Sequence, residues 1–318
     1  MDLSDGAGTT ESVTQVPPAA HAPVPRRVRV ANLIAVVAPF LGIVTAGYVL
    51  WGYGFNGLHL CLLVAMFIIT GLGITVGYHR LFTHRSFETY RPLECLFAIL
   101  GSMAAEGPVV RWAATHRRHH QKSDSPGDPH SPHLHGRGVV GVFRGAWHSH
   151  VGWMFNADGA KLSSYVPDLI KDRFLASIDR LWLLWVAVGL VIPTVVAGLI
   201  TSSWAGALLG LIWGGPVRIF FVHHVTWSVN SVCHLWGSQP YPSSDRSKNN
   251  VIVGLLALGE GWHNNHHAFP TSARHGLRWW QFDMSYLVIS LLALTGLAWN
   301  VKLPAKNLVV ATRPTNNP

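Results

Sequence analysis

The sequence predicts an all-α integral membrane protein, four transmembrane helices with a helical cap gathered on one face of the bilayer. Three observations carry this. Hydrophobic residues make up 49% of the 318 and charged residues only 12%, too apolar a balance for an ordinary water-soluble domain. Four apolar runs occur as two closely spaced pairs, and each run is about 20 residues, enough to cross ~30 Å of hydrocarbon as helix. The Lys and Arg outside the runs avoid both short links between paired runs, so one side of the membrane collects them.

In chain order, residues 1–30 read as a disordered polar tail, Pro- and Ala-rich, without the early apolar core of a signal peptide. The first pair of spans is expected at about 31–51 and 58–78, joined by the uncharged link 52-GYGFNG-57. A long polar section, 79–180, follows. Its apolar stretch Leu93 to Ala105 is too short to span and is expected to lie in the interface or dip into it. The second pair is expected at 181–200 and 205–227, joined by the uncharged link 201-TSSW-204. Pro216 should kink the fourth helix, and Arg218, inside that span, must face protein or water rather than lipid. Residues 284–299 read as interfacial and 301–318 as a C-terminal tail, leaving 31–300 as one domain. The positive-inside rule puts both termini and the central section in the cytoplasm, in a multi-pass protein of a bacterial cytoplasmic membrane ahead of the endoplasmic reticulum. The net charge of +9 belongs to these segments and is not a nucleic-acid signal. Cys61, Cys95 and Cys233 form no CxxC spacing and no disulfide framework.

Histidine carries the chemistry. Of 19 histidines, three stand in 260-EGWHNNHHAFP-270 (His263, His266, His267) and three in 116-HRRHH-120 (His116, His119, His120). Positions i, i+3 and i+4 share a helix face, so each HxxHH is a half-built metal site. His79 and His84 stand in 79-HRLFTH-84, and Asn230 and His234 in 230-NSVCH-234. All four clusters lie outside the apolar runs, beyond span ends, and the charge asymmetry puts them on the same face. Nine imidazoles and one asparagine are too many ligands for one ion and suit two. On a straight helix His79 and His84 stand about 140° apart and are expected to serve one ion each. Imidazole suits Zn, Cu, Fe and Ni alike, and the Glu-x-x-His pattern of soluble di-iron carboxylate proteins is absent. An imidazole-rich two-metal site at a membrane surface fits oxygen activation aimed at a lipid-like substrate. His130, His133 and His135, among the helix breakers of 124–138, read as loop residues outside the ligand set, as do His148 and His150. His223, Asn230 and His234 fall within roughly 20° of one helix face; His223 is either a supporting partner of the ligands or a buried hydrogen-bonded histidine.

With these residues in place, the chain resembles the integral-membrane acyl-CoA (Δ9-type, stearoyl-CoA-like) fatty acid desaturases over about residues 30–300. Their signature HRxxxH, HRxHH, NSxxH and GEGWHNxHHxFP is matched by 79-HRLFTH-84, 116-HRRHH-120, 230-NSVCH-234 and 259-GEGWHNNHHAFP-270. The resemblance implies two iron ions. His79, His120, His234, His263 and His267 would hold one, and His84, His116, His119 and His266 the other, with Asn230 acting through a water. It implies O2 as co-substrate and a cis double bond, at Δ9, as product. It also implies a bent acyl tunnel shaped by Trp112, Thr226 and Trp227, with Glu106 where the family often has glutamine. The family's Arg-Asp pair before the second box, which touches acyl-CoA in animal members, is Ala114 and Thr115 here. Acyl-CoA is the substrate expected from the resemblance, and an acyl-lipid or acyl-carrier-protein substrate is the alternative that this departure opens. No HPGG haem motif or CxxC iron–sulfur segment is present, so electrons are expected from a separate ferredoxin or cytochrome b5-type donor with its reductase. Its acidic face would dock on the Arg- and Lys-rich section. A diiron hydroxylase or acetylenase on the same scaffold is the nearest rival. A membrane metal transporter is the remote one, since it would place its ligands mid-membrane within broken helices.

Overall fold

The computed structural model describes residues 25–49, 55–156, 161–305 and 309; the expected N-terminal tail up to residue 24, half of the first link and most of the C-terminal tail lie outside the described residues. Four helices are long and apolar enough to span a membrane: Arg26–Tyr48, Gly57–Thr83, Trp182–Thr201 and Trp204–Leu235. The first is α1, whose helix runs Arg26–Val49. The second opens as α2 (Gly57–Leu72) and continues without a break as a π-helix over Gly73–Thr83. Asn56 starts it with a reciprocal cap: its Oδ1 accepts from the Leu58 amide at 3.0 Å, and its own amide donates to His59 Nδ1 at 3.1 Å.

The central section holds α3 (Arg91–Met103), α4 (Val109–Lys122), α5 (Gly138–His150), the short α6 (Pro167–Ile170) and α7 (Arg173–Arg180). The third span is α8 (Trp182–Thr201), closed by Ser202 in the left-handed region. The fourth is α9 (Trp204–Ile212), a kink over Trp213–Val217, and α10 (Arg218–Leu235). The cap is completed by α11 (Val251–Leu256), α12 (His263–Ala268) and α13 (Met284–Leu294). A pair of two-residue strands, β1 (Glu88–Thr89) and β2 (Ala298–Trp299), ties the C-terminal end back antiparallel.

The stretch expected to dip inward is α3, which packs against α2, its π-helical extension and α8. Glycine makes that approach possible: a Cβ on Gly73 would stand 2.2 Å from the Gly101 amide nitrogen. Pro216 kinks the fourth helix as expected, with Gly215 taking non-helical φ −103° and ψ −105°. Arg218 faces protein: it is fully buried, and its guanidinium donates to the carbonyls of Met103 (2.6 Å), Gly189 (3.2 Å) and Gly214 (3.1 Å). At 11 residues α13 is too short to span. Two helices run on past the expected spans, the second to Thr83 and the fourth to Leu235, the latter as the shared helix face of His223, Asn230 and His234 required. The physical reason is burial: the polar ends of both helices are covered by the cap, so their backbone stays helical beyond the apolar run.

Candidate metal centre and its cavity

Four elements converge: the π-helical end of the second span brings His79, α4 brings Trp112, His116, His119 and His120, the end of α10 brings Asn230 and His234, and α12 brings His263, His266 and His267. His84 caps the π-helix, its amide donating to the His79 carbonyl at 3.1 Å. An i→i+5 bond is the π-helical spacing, and it turns residues five apart onto one side. The two rings stand 4.8 Å apart and join the same group, so the expectation that they serve one ion each is corrected; it assumed a straight α-helix.

Their nitrogens gather in two groups, each within 4.8 Å: His79, His84, His116, His120 and His266, and then His119, His234, His263 and His267. This also corrects the partition carried over from the family, which set His79 and His120 with His234, His263 and His267. Helical geometry explains the division. In an HxxHH turn the first and last histidines lie about 40° apart, while the middle one is turned 60–100° away. The α4 turn therefore gives His116 and His120 to the first group and His119 to the second. The α12 turn gives His263 and His267 to the second group and His266 to the first.

Within the groups Nε2 atoms face one another: His79 to His266 at 3.1 Å, His116 to His120 at 3.0 Å, His120 to His266 at 2.9 Å, and His234 to His263 at 3.1 Å. Two nitrogens each ~2.1 Å from one ion, at right angles, would be about 3.0 Å apart. The Nε2 atoms of His84, His119 and His267 are buried without a hydrogen-bond partner, which is costly unless something accepts their lone pairs. Burial, reinforced by neighbouring imidazoles, holds His84, His116, His120, His263 and His266 well below the ordinary histidine range. Neutral rings with converging lone pairs are what a divalent metal needs.

Carboxylates orient the rings from behind, a layer that sequence reading missed. His119 Nδ1 donates to Asp128 at 2.9 Å, His234 Nδ1 to Asp124 at 2.9 Å and His267 Nδ1 to Asp245 at 2.5 Å, while His79 Nδ1 stands 2.7 Å from Glu260 as an ion-pair contact without hydrogen-bond geometry. Each bond fixes a tautomer that leaves Nε2 free. Burial would raise Asp124, Asp128 and Asp245, but their imidazole partners hold all three well below the ordinary range. Burial likewise opposes Glu260, which Arg80, His79 and His275 hold well down. His275 was also missed. It lies 3.1 Å from Glu260 through Nδ1, accepts from Arg80 Nε at 3.4 Å, and packs 4.4 Å from the His266 ring.

The six-residue α12 could not hold its place alone. Asn264 and Asn265, both buried, pin it: Asn264 exchanges hydrogen bonds with the Tyr241 backbone, and Asn265 bonds Asn249, Gln281 and the His275 carbonyl. The same 238–250 linker delivers Asp245.

A cavity of ≈ 380 Å³ opens on the centre, with His79, His116, Asn230, Glu260 and His263 in its wall. The expected bend residues Glu106, Trp112, Thr226 and Trp227 all line it. Glu106 accepts from Trp112 Nε1 at 2.9 Å, and Trp112 stacks on His116 with centroids 5.1 Å apart. Burial, opposed by Trp112 and the neighbouring Thr226 hydroxyl, pushes Glu106 up to about 7. His223 is the buried hydrogen-bonded histidine: its Nε2 faces the Ala104 and Ala105 carbonyls at 3.1 and 3.2 Å, and its ring packs on Trp227. His130, read as a loop residue, is in the loop but buried, stacked 4.3 Å from His119. His148 and His150 stay outside both groups, His150 pairing with His224 at 3.0 Å. Ala114 is buried, and Thr115 lines the cavity.

With this geometry established, a fatty acid desaturase family model matches residues 55–300. The chain is 45% identical over 279 residues to a hex-5-enoyl-[acyl-carrier protein] acetylenase of Moorena producens (strain JHB), covering 87% of each. It is 40% identical over 283 residues to the chloroplastic palmitoyl-monogalactosyldiacylglycerol delta-7 desaturase of Arabidopsis thaliana, covering 86% of this chain and 67% of that one. It is 39% identical over 247 residues to the sn-1 stearoyl-lipid 9-desaturase of Anabaena variabilis, covering 77% and 84%.

Proposed function

The chain belongs to the fatty acid desaturase family, a membrane-embedded oxidoreductase acting on fatty acyl chains, and from that premise we propose an O2-dependent diiron desaturase that places a cis double bond at Δ9 in saturated C16–C18 chains. The carrying observation is the pair of imidazole groups beside an apolar cavity long enough to reach from the α1 residues Ala31 and Ala35 to His263. Nine histidines, with Asn230 acting through a water, would hold two irons, which supply the oxidising power when bound. In the reaction a CH2–CH2 unit loses two hydrogens, and O2, two electrons and two protons leave as two waters. The protein's own part is to hold the chain. The cavity walls exclude water and fix one methylene near His79, His116 and His263, and the bend at Trp112, Thr226 and Trp227 stops it sliding.

Lipid or carrier protein is proposed ahead of CoA as the acyl carrier, because buried Ala114 and cavity-lining Thr115 supply no charged pair for CoA. Electrons come from a separate acidic ferredoxin or cytochrome b5-type protein. Similarity to the Moorena acetylenase favours one second reading, oxidation of an existing alkene to an alkyne. Expression in a host unable to desaturate, with fatty-acid methyl esters analysed for double-bond position, tests both. Δ9 monoenes are expected; alkynes would favour the second reading, and unchanged lipids from folded, iron-loaded protein would sink both.

Residues 31–300 form the catalytic domain in this proposal, with the cap in the cytoplasm. A reporter fused after Ser203 should read outside and one at Pro318 inside. The opposite result would invert the topology.

A further inference from the structure

The carboxylates behind the histidines are unequally shared. Three of the four histidines in the second group donate Nδ1 to an aspartate: His119 to Asp128, His234 to Asp124 and His267 to Asp245. None of these carboxylates has an Arg or Lys side chain as an ion-pair partner among the described residues; Asp124 and Asp245 are instead held by the Arg246 amide and by Ser131, Ser243 and Ser247 hydroxyls. In the first group only His79, of five, has a carboxylate at its Nδ1, and that is an ion-pair contact at 2.7 Å. That partner, Glu260, is shared with His275 at 3.1 Å and faces the buried Arg80 at 3.5 Å, which also pairs with Asp283 at 3.0 Å. The first group thus has one carboxylate with a cation beside it, and the second has three without.

We propose that the two metal positions are inequivalent by construction: Asp124, Asp128 and Asp245 make the His119–His234–His263–His267 group the one that fills first and releases last. The inference rests on the dimetal reading of the site. The physics is of two kinds. A carboxylate on Nδ1 makes the imidazole a stronger donor at Nε2, and such partners are typically worth roughly 10–100-fold in metal affinity. A buried anion one ring away also attracts a divalent cation directly, and nothing in water screens it. The first group has more histidines, yet its one anion is largely neutralised by Arg80. It is therefore the position where metal is held more loosely, although it lies closer to the Trp112 end of the cavity, where His116 stacks on that ring.

The full-length protein in detergent, loaded stepwise with ferrous 57Fe, tests this by Mössbauer spectroscopy and by timed chelator release. One equivalent should give one quadrupole doublet, and a second equivalent should add a different one. Chelator should remove them in reverse order, at rates at least about tenfold apart. Asp128→Asn and, separately, Asp245→Asn keep an acceptor near the ring but remove the charge. Each should speed loss of the first-filled iron roughly 10–100-fold and leave the other within about twofold, while Glu260→Gln should speed only the second-filled iron. Two doublets growing together from the first addition would overturn the proposal. So would aspartate variants that release both irons faster to the same degree, or neither. Protein that binds no iron would take the dimetal reading down as well, whereas equal filling with desaturation intact removes only the inequivalence.

Discussion

His266→Ala is expected to yield a folded protein that retains one iron per chain and has no detectable desaturase activity. His266 is the hub of the first group: its Nε2 faces both His79 Nε2 at 3.1 Å and His120 Nε2 at 2.9 Å. Removing it opens the middle of the ligand set instead of an edge. The loss should exceed the roughly 10–100-fold typical of an outer hydrogen-bond partner, because a ligand and the geometry of its neighbours go together. His120→Ala should behave alike, since His120 also faces His116 at 3.0 Å. Wild-type protein should carry two metals per chain, iron when iron is supplied, with zinc replacing it under overexpression because nitrogen sites favour zinc over ferrous iron. Metal analysis and methyl-ester profiles of the same preparations are the measurement, and full activity in either variant would sink the assignment of ligands.

The reading of the sequence brought the four histidine clusters together, and they do converge, because two local rules were enough. Apolar run length gave the four long helices, and the missing charges of 201-TSSW-204 set the expectation that the clusters share a side. What it could not see was nonlocal. The division of His116 and His120 from His119 follows from helix angles alone and could have been derived, but the family's partition took precedence over them. The pairing of His79 with His84 depends on a π-helical turn whose i→i+5 bond has no composition signal; the whole turn, Tyr78 and Phe82 included, is buried. Asp124 and Asp245 sit 110 and 22 residues from the histidines they hold. The one available hint was the acid-bearing, helix-breaking run 124-DSPGD-128 directly after a ligand turn. His275 lacked even that, since its contacts come through Arg80 and Glu260. The cavity was legible only through resemblance, yet its bend residues do line one wall, because Trp112 shares α4 with His116 and Trp227 shares α10 with His234.

Trp227→Ala is expected to scatter the double-bond position or abolish product, and Glu106→Gln to leave both nearly intact while stabilising the protein at neutral and alkaline pH. The two residues act on one wall. Trp227, largely buried, packs on His223, His223 holds the Ala104 and Ala105 carbonyls, and the next residue is Glu106, which accepts from Trp112. Ala105 takes φ +64°, the left-handed region that a non-glycine residue enters only when held. Deleting the Trp227 ring opens space beside the chain and loosens that hold, so a methylene can slide relative to His116 and His79. Glu106 is different because its charge is unwelcome. Its pKa, raised by burial from 4.5 to about 7, means the folded state keeps a proton that the unfolded chain releases. Stability is therefore unaffected below about pH 4.5, falls as pH rises to about 7, and stays lowered above, by about 3 kcal/mol in all. Glutamine can still accept from Trp112 Nε1 and carries no proton to lose. Denaturation midpoints at pH 5 and pH 8 should therefore differ less in Glu106→Gln than in the wild type. Equal pH dependence in the two proteins would mean that Glu106 is solvated, and unchanged double-bond position and yield in Trp227→Ala would refute the tunnel wall while leaving the metal centre untouched.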